Sequence, residues 1–310
     1  MFDLISGFMA PYASVFLASS AISACAFIGL RAVSSRAYRI RTWMTIAPLA
    51  GAFLLATAIS PACFSHWLSM ETLDPAHILC AASSAQIRTI CTGWVALISV
   101  SFSIAGMKGL VSYLFGGTIA KTLYGAEELG VEELGGLHDG FLRLIERAGV
   151  APPRLFLIDS SSPQIFSHKG RSESSIFFSV GLLETLSEEE VLASVAHEVA
   201  HIKNNDTLVR SVASSLRIAS LYNLVGLLLE PVLSRDREFL ADLEGANLSN
   251  RRSLITALIK MSLATPKGQG VNILSSLSLS PFVPGRSKFK LFSRHPSLEE
   301  RVRRLTELPL

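Results

Sequence analysis

Apolar positions along the chain change their period about a third of the way in. Up to Phe115 they run almost unbroken, and Pro11–Leu30, Trp43–Phe64 and Ile90–Phe115 are each long enough to cross a bilayer, which takes about 20 helical residues. Beyond Phe115 they recur at helical spacing or in short runs bounded by turn residues. Glu127–Ala148 reads as a helix interrupted near Gly135-Gly136, with Leu137, Phe141, Leu144, Ile145 and Ala148 on one face. Ala151-Pro152-Pro153 ends it, Arg154–Ile158 is a short buried strand, and Asp159–Pro163 is a turn. Ile165–His168 and Ser175–Val180 fit a hairpin around Lys169-Gly170-Arg171. Ser187-Glu188-Glu189-Glu190 is a capping box. It opens a helix whose Leu192, Val195, Val199 and Ile202 give the apolar stripe of a half-buried element. Thr265–Ser297 is rich in Ser, Pro, Gly and Lys and reads as a long loop, followed by an amphipathic helix over Leu298–Leu308.

Charge sharpens this division. Only six Lys/Arg and three Asp/Glu fall in residues 1–115, in a chain of 310 residues with 17% charged residues and a mean hydropathy of +0.42. Residues 1–115 are therefore expected to be a transmembrane region and residues 116–310 a globular domain. No Lys or Arg precedes the first stretch, so it lacks the basic region of a secretion signal and reads as a retained span. Arg31, Arg36, Arg39 and Arg41 crowd the first connection, whereas Ser65–Thr89 carries Arg88 against Glu71 and Asp74. The positive-inside rule then puts the first connection and everything after Phe115 in the cytoplasm, and the 65–89 loop outside. The expected protein is a multi-pass protein of the cell membrane, in contact with lipid. A net charge of +3, dispersed over the chain, does not suggest a nucleic-acid partner. Cys63, Cys80 and Cys91 lie in or beside the outer loop, where a disulfide is allowed, and Cys25 is a small apolar residue within a span. The apolar segment Val212–Leu233 contains Arg217 and Glu230, which favour a core or membrane-surface helix over a crossing.

The chemistry concentrates in His197-Glu198-Val199-Ala200-His201. Two histidines four apart on a helix share one face, with Cβ atoms roughly 6 Å apart. Both imidazoles can then reach one metal ion at about 2.1 Å. Glu198, beside the metal without ligating it, can take a proton from a water that the metal activates. A catalytic zinc site takes a third protein ligand. Glu238 and Asp242 are helical i,i+4 neighbours in Ser234–Asp242, so Glu238 can ligate while Asp242 orients a ligand histidine. Taken alone, that pair reads more readily as a solvated charge array; its place fewer than about 40 residues after the histidine motif favours the metal.

Together these pieces resemble the HtpX-type and CaaX-prenyl-protease family of integral-membrane zinc metallopeptidases, which are gluzincin-like. The matching segments are Gly181-Leu182-Leu183 with Leu186–Glu190, His197–His201 with Ile202-Lys203-Asn204 and Asp206, Ser234-Arg235 through Glu238 with Ala241-Asp242, and Arg294-His295-Pro296 through Arg301. The resemblance implies an α+β, zincin-like, mainly helical metallopeptidase domain with a small sheet, preceded by about three transmembrane helices. It implies one Zn2+ per chain at His197, His201 and Glu238, with Glu198 as general base and Asp242 behind the ligands. It further implies that His295 and Arg301 approach the metal to steady the oxyanion or the substrate. Gln164-Ile165-Phe166-Ser167 stands where the family usually has Asn-Ala-Phe-Ala on the strand that pairs with substrate backbone. A further departure is three spans before the metal helix instead of two before and two after. The activity implied is endoproteolysis of membrane-associated or misfolded polypeptides. The alternatives are a membrane signal transducer like the β-lactam sensors and a zinc scaffold without turnover. The remaining histidines, His66, His77, His138 and His168, read as structural or solvated.

Overall fold

The computed structural model describes residues 104, 106–171, 173–219, 224–264 and 296–307. The first two apolar stretches, most of the third, the four cysteines, the 265–295 segment and with it His295 lie outside the described residues. Among the described residues no helix is long and apolar enough to cross a membrane. Lys108–Ser214 and Glu230–Leu310 form one compact unit, and it contains the candidate site.

Helix α1 (106–124) carries on from the third apolar stretch. After it, Gly125 takes a left-handed φ of 56° and turns the chain into β1 (Glu127–Leu129). This corrects the expected helix over Glu127–Ala148. Helix-forming glutamates are drawn into a strand because β1 pairs antiparallel with β2 (Arg154–Ile158). The Arg154 guanidinium fastens the two, with Nη2 2.6 Å from Glu128 Oε2. A 3₁₀ segment (Val131–Leu137) follows, kinked at Gly135, and only then does α2 (His138–Ala148) begin. Its buried face is Phe141, Leu144, Ile145 and Ala148, as the periodicity predicts.

Strands β3 (Ile165–Lys169) and β4 (Ser174–Ser179) form the expected antiparallel hairpin. β4 also pairs parallel with β2, giving the order β1-β2-β4-β3 with β3 at an edge. The sheet is covered on both faces. Phe156, Phe166 and Phe177 stack at 4.8 Å on one face, against Ala120, Ile119 and Tyr124 of α1. His168 is buried on the same face and donates from Nε2 to the Ser112 carbonyl at 3.0 Å. A Cβ at Gly116 would sit 2.5 Å from that nitrogen, so only glycine lets α1 pass this close. The other face, with Ile165, Ile176 and Phe178, packs into the main core.

Helices α3 (Val180–Thr185), α4 (Glu188–Lys203), α5 (Asp206–Ala219), α6 (Leu224–Leu248), α7 (Arg251–Ala264) and α8 (Leu298–Glu307) complete the described chain. At the start of α4, Ser187 N–H donates to Glu190 Oε2 at 2.8 Å, the reach-back half of the expected capping box. The expectation of a half-buried helix is corrected, because α4 is buried from Glu190 to Ile202 with only Leu192 partly open. Its apolar side meets the sheet, α2 and α7, and its polar side faces the candidate site. Of the apolar segment Val212–Leu233, residues 212–219 lie in α5 and 224–233 in α6, which contains Pro231, while 220–223 lie outside the described residues.

Candidate metal centre

His197 and His201 lie one turn apart on α4, as i,i+4 spacing requires, and Glu238 comes from α6. Their ligand atoms all fall within 4.8 Å of one another, and all three residues are buried. The two Nε2 atoms are 3.1 Å apart. Glu238 Oε2 is 3.6 Å from His197 Nε2, and Oε1 is 3.6 Å from His201 Nε2. Gly245 makes this approach of α6 to α4 possible: a Cβ there would lie 3.0 Å from the His197 backbone. Glu238, Asp242 and Gly245 are spaced i, i+4, i+7, so a single face of α6 carries the carboxylates and the contact that seats them.

Each histidine is oriented from behind. His197 Nδ1 is 3.1 Å from Asp242 Oδ1, and His201 Nδ1 is 2.6 Å from Asp206 Oδ2. A buried arginine balances each of these aspartates. Arg301 of α8 reaches both Asp242 oxygens, with Nε to Oδ2 at 2.8 Å. Arg237 grips Asp206 and donates to the Asn204 carbonyl at 3.2 Å. Burial alone would raise both aspartates, but Arg301 beside Asp242, and His201 and Arg237 beside Asp206, hold them below the usual carboxylate range. Burial pushes the His197 imidazole down, yet its bonds to Asp242 and Glu238 prevail and hold it up at about 9.

The Glu198 carboxylate faces the sheet edge, where Ser167 Oγ donates to its Oε2 at 2.7 Å. Gln164, Ile165 and Phe166 are buried, so β3 offers main-chain groups rather than these side chains. The Ser179 N–H donates to the Gln164 carbonyl across the hairpin. By the antiparallel alternation, Ile165, Ser167 and Lys169 turn their N–H and C=O groups to the outer edge. Lys169 N–H is taken there by Thr207 Oγ1 at 2.9 Å.

The structure thus brings together His197, Glu198, His201, Glu238, Asp242 and Ser167. Arg301 is brought in too, beside the candidate ligands. It is wholly buried, bound to Asp242, with Nη1 3.4 Å from Glu238 Oε2. Sequence reasoning assigned no role to Asp206, Arg237, Arg210 or the Ser167 hydroxyl. For Asp206 a signal existed, since an acid five residues after a ligand histidine can fold back under it.

Comparison with known proteins gives the family. The family model for peptidase family M48 matches residues 133–231 and 218–309. A protease HtpX homolog of Salinibacter ruber is 34% identical over 242 residues, covering 67% of this chain and 87% of that protein. One from Desulforapulum autotrophicum is 30% identical over 247 residues, covering 66% and 79%. One from Pyrococcus abyssi is 30% identical over 249 residues, covering 68% and 86%. With a buried His-His-Glu cluster at its centre, the chain belongs to peptidase family M48 and is a metallopeptidase of the HtpX type.

Proposed function

We propose that the chain is a membrane-embedded zinc endopeptidase that cleaves membrane-associated or misfolded polypeptides. The observation that carries this reading is the pair of facing Nε2 atoms. Each imidazole directs its Nδ1 at a buried aspartate, so when both rings are neutral their Nε2 lone pairs face each other 3.1 Å apart beside a carboxylate. Such a set is stabilised by a shared cation. Ligand atoms around a tetrahedral zinc, with bonds of about 2.0–2.1 Å, are separated by about 3.3 Å, close to these spacings. Bound there, zinc would polarise the scissile carbonyl and make a neighbouring water acidic.

The chain's own residues do the rest. A substrate strand adds to the outer edge of β3 through the main-chain groups of Ile165 and Ser167, and Thr207 closes that edge at Lys169. Glu198 takes the proton from the attacking water and returns it to the leaving amine. Ser167 occupies one carboxylate oxygen and leaves the other for that proton. His295, outside the described residues, keeps the role the resemblance implies, facing the oxyanion.

The test uses the full chain, purified in detergent. Zinc near one per chain, and casein hydrolysis abolished by a chelator and restored by zinc, are expected. Hydrolysis that survives complete metal removal would sink the reading. The M48 relatives favour a peptidase over a signal transducer. Three apolar stretches, arginine-rich first connection and exposed Met107, Leu110, Leu114 and Phe115 on α1 support a multi-pass protein with a cytoplasmic site. Single cysteines at Ser69, Ser249 and Ser297, in a background without native cysteines, test this with an impermeant thiol reagent. Only Ser69→Cys is expected to react in intact cells.

A further inference from the structure

Two arginines flank the Glu238 carboxylate, and they are not equivalent. Arg301 approaches from the interior, is fully buried, and is committed to Asp242. Arg210 approaches from the other side. Its side chain is 17% exposed, with Nη2 2.6 Å from Glu238 Oε1 and 3.4 Å from His201 Nε2. Its Nε is buried and makes no hydrogen bond.

Helix α5 explains why this position matters. Thr207 and Arg210 are three residues apart and share one face of α5. Thr207 meets the outer edge of β3 at Lys169, and Arg210 meets the metal triad. That face of α5 thus runs from the end of the strand edge open to substrate to the ligands. The charges point the same way. Asp242 is balanced by Arg301 and Asp206 by Arg237. Arg210 is the cation whose only carboxylate partner among the described residues is a candidate metal ligand. Once that carboxylate serves a metal, the guanidinium has donors to spare.

We propose that Arg210 is a catalytic residue that donates a hydrogen bond to the scissile carbonyl oxygen. As the water oxygen adds to the carbonyl carbon, the π pair moves onto the carbonyl oxygen and a full negative charge develops there. The guanidinium stabilises this charge and transfers no proton, since arginine stays protonated throughout the working range. Arg301, which the resemblance also brings near the metal, is held by Asp242 behind the ligands. The inference rests on the zinc-peptidase reading above.

The experiment compares the full-length wild type with Arg210→Ala and Arg210→Lys in detergent. It measures zinc per chain, the kcat/KM for a peptide, and the Kd of a phosphinic pseudopeptide that mimics the tetrahedral adduct. Arg210→Ala should keep zinc near one per chain. It should lose about 10²–10³-fold in kcat/KM, the usual effect of removing an oxyanion donor, and weaken phosphinic binding by a similar factor. Arg210→Lys should recover part of both losses. Loss of zinc in parallel with activity would overturn the proposal and make Arg210 a prop for Glu238. Tighter zinc binding with unchanged turnover would overturn it as well. So would a defect confined to substrates with an acidic side chain next to the scissile bond. An inactive, zinc-free wild type would instead refute the underlying peptidase reading.

Discussion

Arg301 and Asp242 stand 59 residues apart in sequence, yet they are joined by two hydrogen bonds directly behind His197. The last described helix is thereby tied to the candidate ligand set. Arg304 strengthens the same junction by lying 3.6 Å over the Phe239 ring.

That junction predicts that Arg301 acts as a positioning residue. Arg301→Gln should weaken zinc by about 10–100-fold, and Asp242→Ala by a similar factor, as expected when a histidine ligand loses its orienting partner. The double variant should be little worse than either single one, because both remove the same support. Chelator competition measures this. Full zinc affinity with a large kcat loss in Arg301→Gln would return Arg301 to the oxyanion.

Glu198→Gln should abolish peptide hydrolysis and leave zinc near one per chain. The amide accepts no proton, whereas His197, His201 and Glu238 remain. Zinc analysis of the purified variant decides the matter, since metal loss would make Glu198 a ligand.

Asp206 is bound to His201 on one side and to Arg237 on the other, all three buried. Asp206→Ala strands a buried guanidinium and should cost about 3–5 kcal/mol of stability, the usual result of removing one partner of a buried pair. Thermal or denaturant unfolding should detect it. Asp206→Asn, which keeps a hydrogen-bond acceptor, should cost less.

His168 gives the molecule an acid-sensitive point away from the metal. Burial pushes its imidazole below the ordinary histidine range, with the Ser112 carbonyl opposing. The unfolded chain therefore binds this proton at a higher pH than the folded one. Stability should fall as pH drops below about 6.5, continuing down to the folded pKa. His168→Gln, which can still donate to Ser112, should flatten that part of a melting-temperature profile between pH 7 and 5. An unchanged slope would exclude His168 as its source.

The histidine motif and its helix were legible in the sequence because they are local: the capping box, the apolar stripe and the i,i+4 spacing all act within a few turns. Glu238 was legible through its distance from that motif and its spacing to Asp242. β1 was not, because Glu127-Glu128 favours a helix locally, and only the exposed edge of β2 and the Arg154 side chain make it a strand. The pairings of Ser167 with Glu198, Arg237 with Asp206 and Arg210 with Glu238 were hidden for a related reason. Each joins residues 28 to 31 positions apart on different elements. Nothing in the local pattern around either partner announces the other.

The close passage of Gly245 over His197 has a consequence for which ions the site can accept. With backbone against backbone at that point, Glu238 and Asp242 are carried on a helix that already lies close against α4. A cation that wants six to eight oxygens at about 2.3–2.6 Å, such as calcium, would meet two imidazoles and one carboxylate there. Small ions content with a few short bonds need displace nothing. The closeness of this donor set thus depends on a missing methyl group, two turns from the carboxylate that would touch the ion.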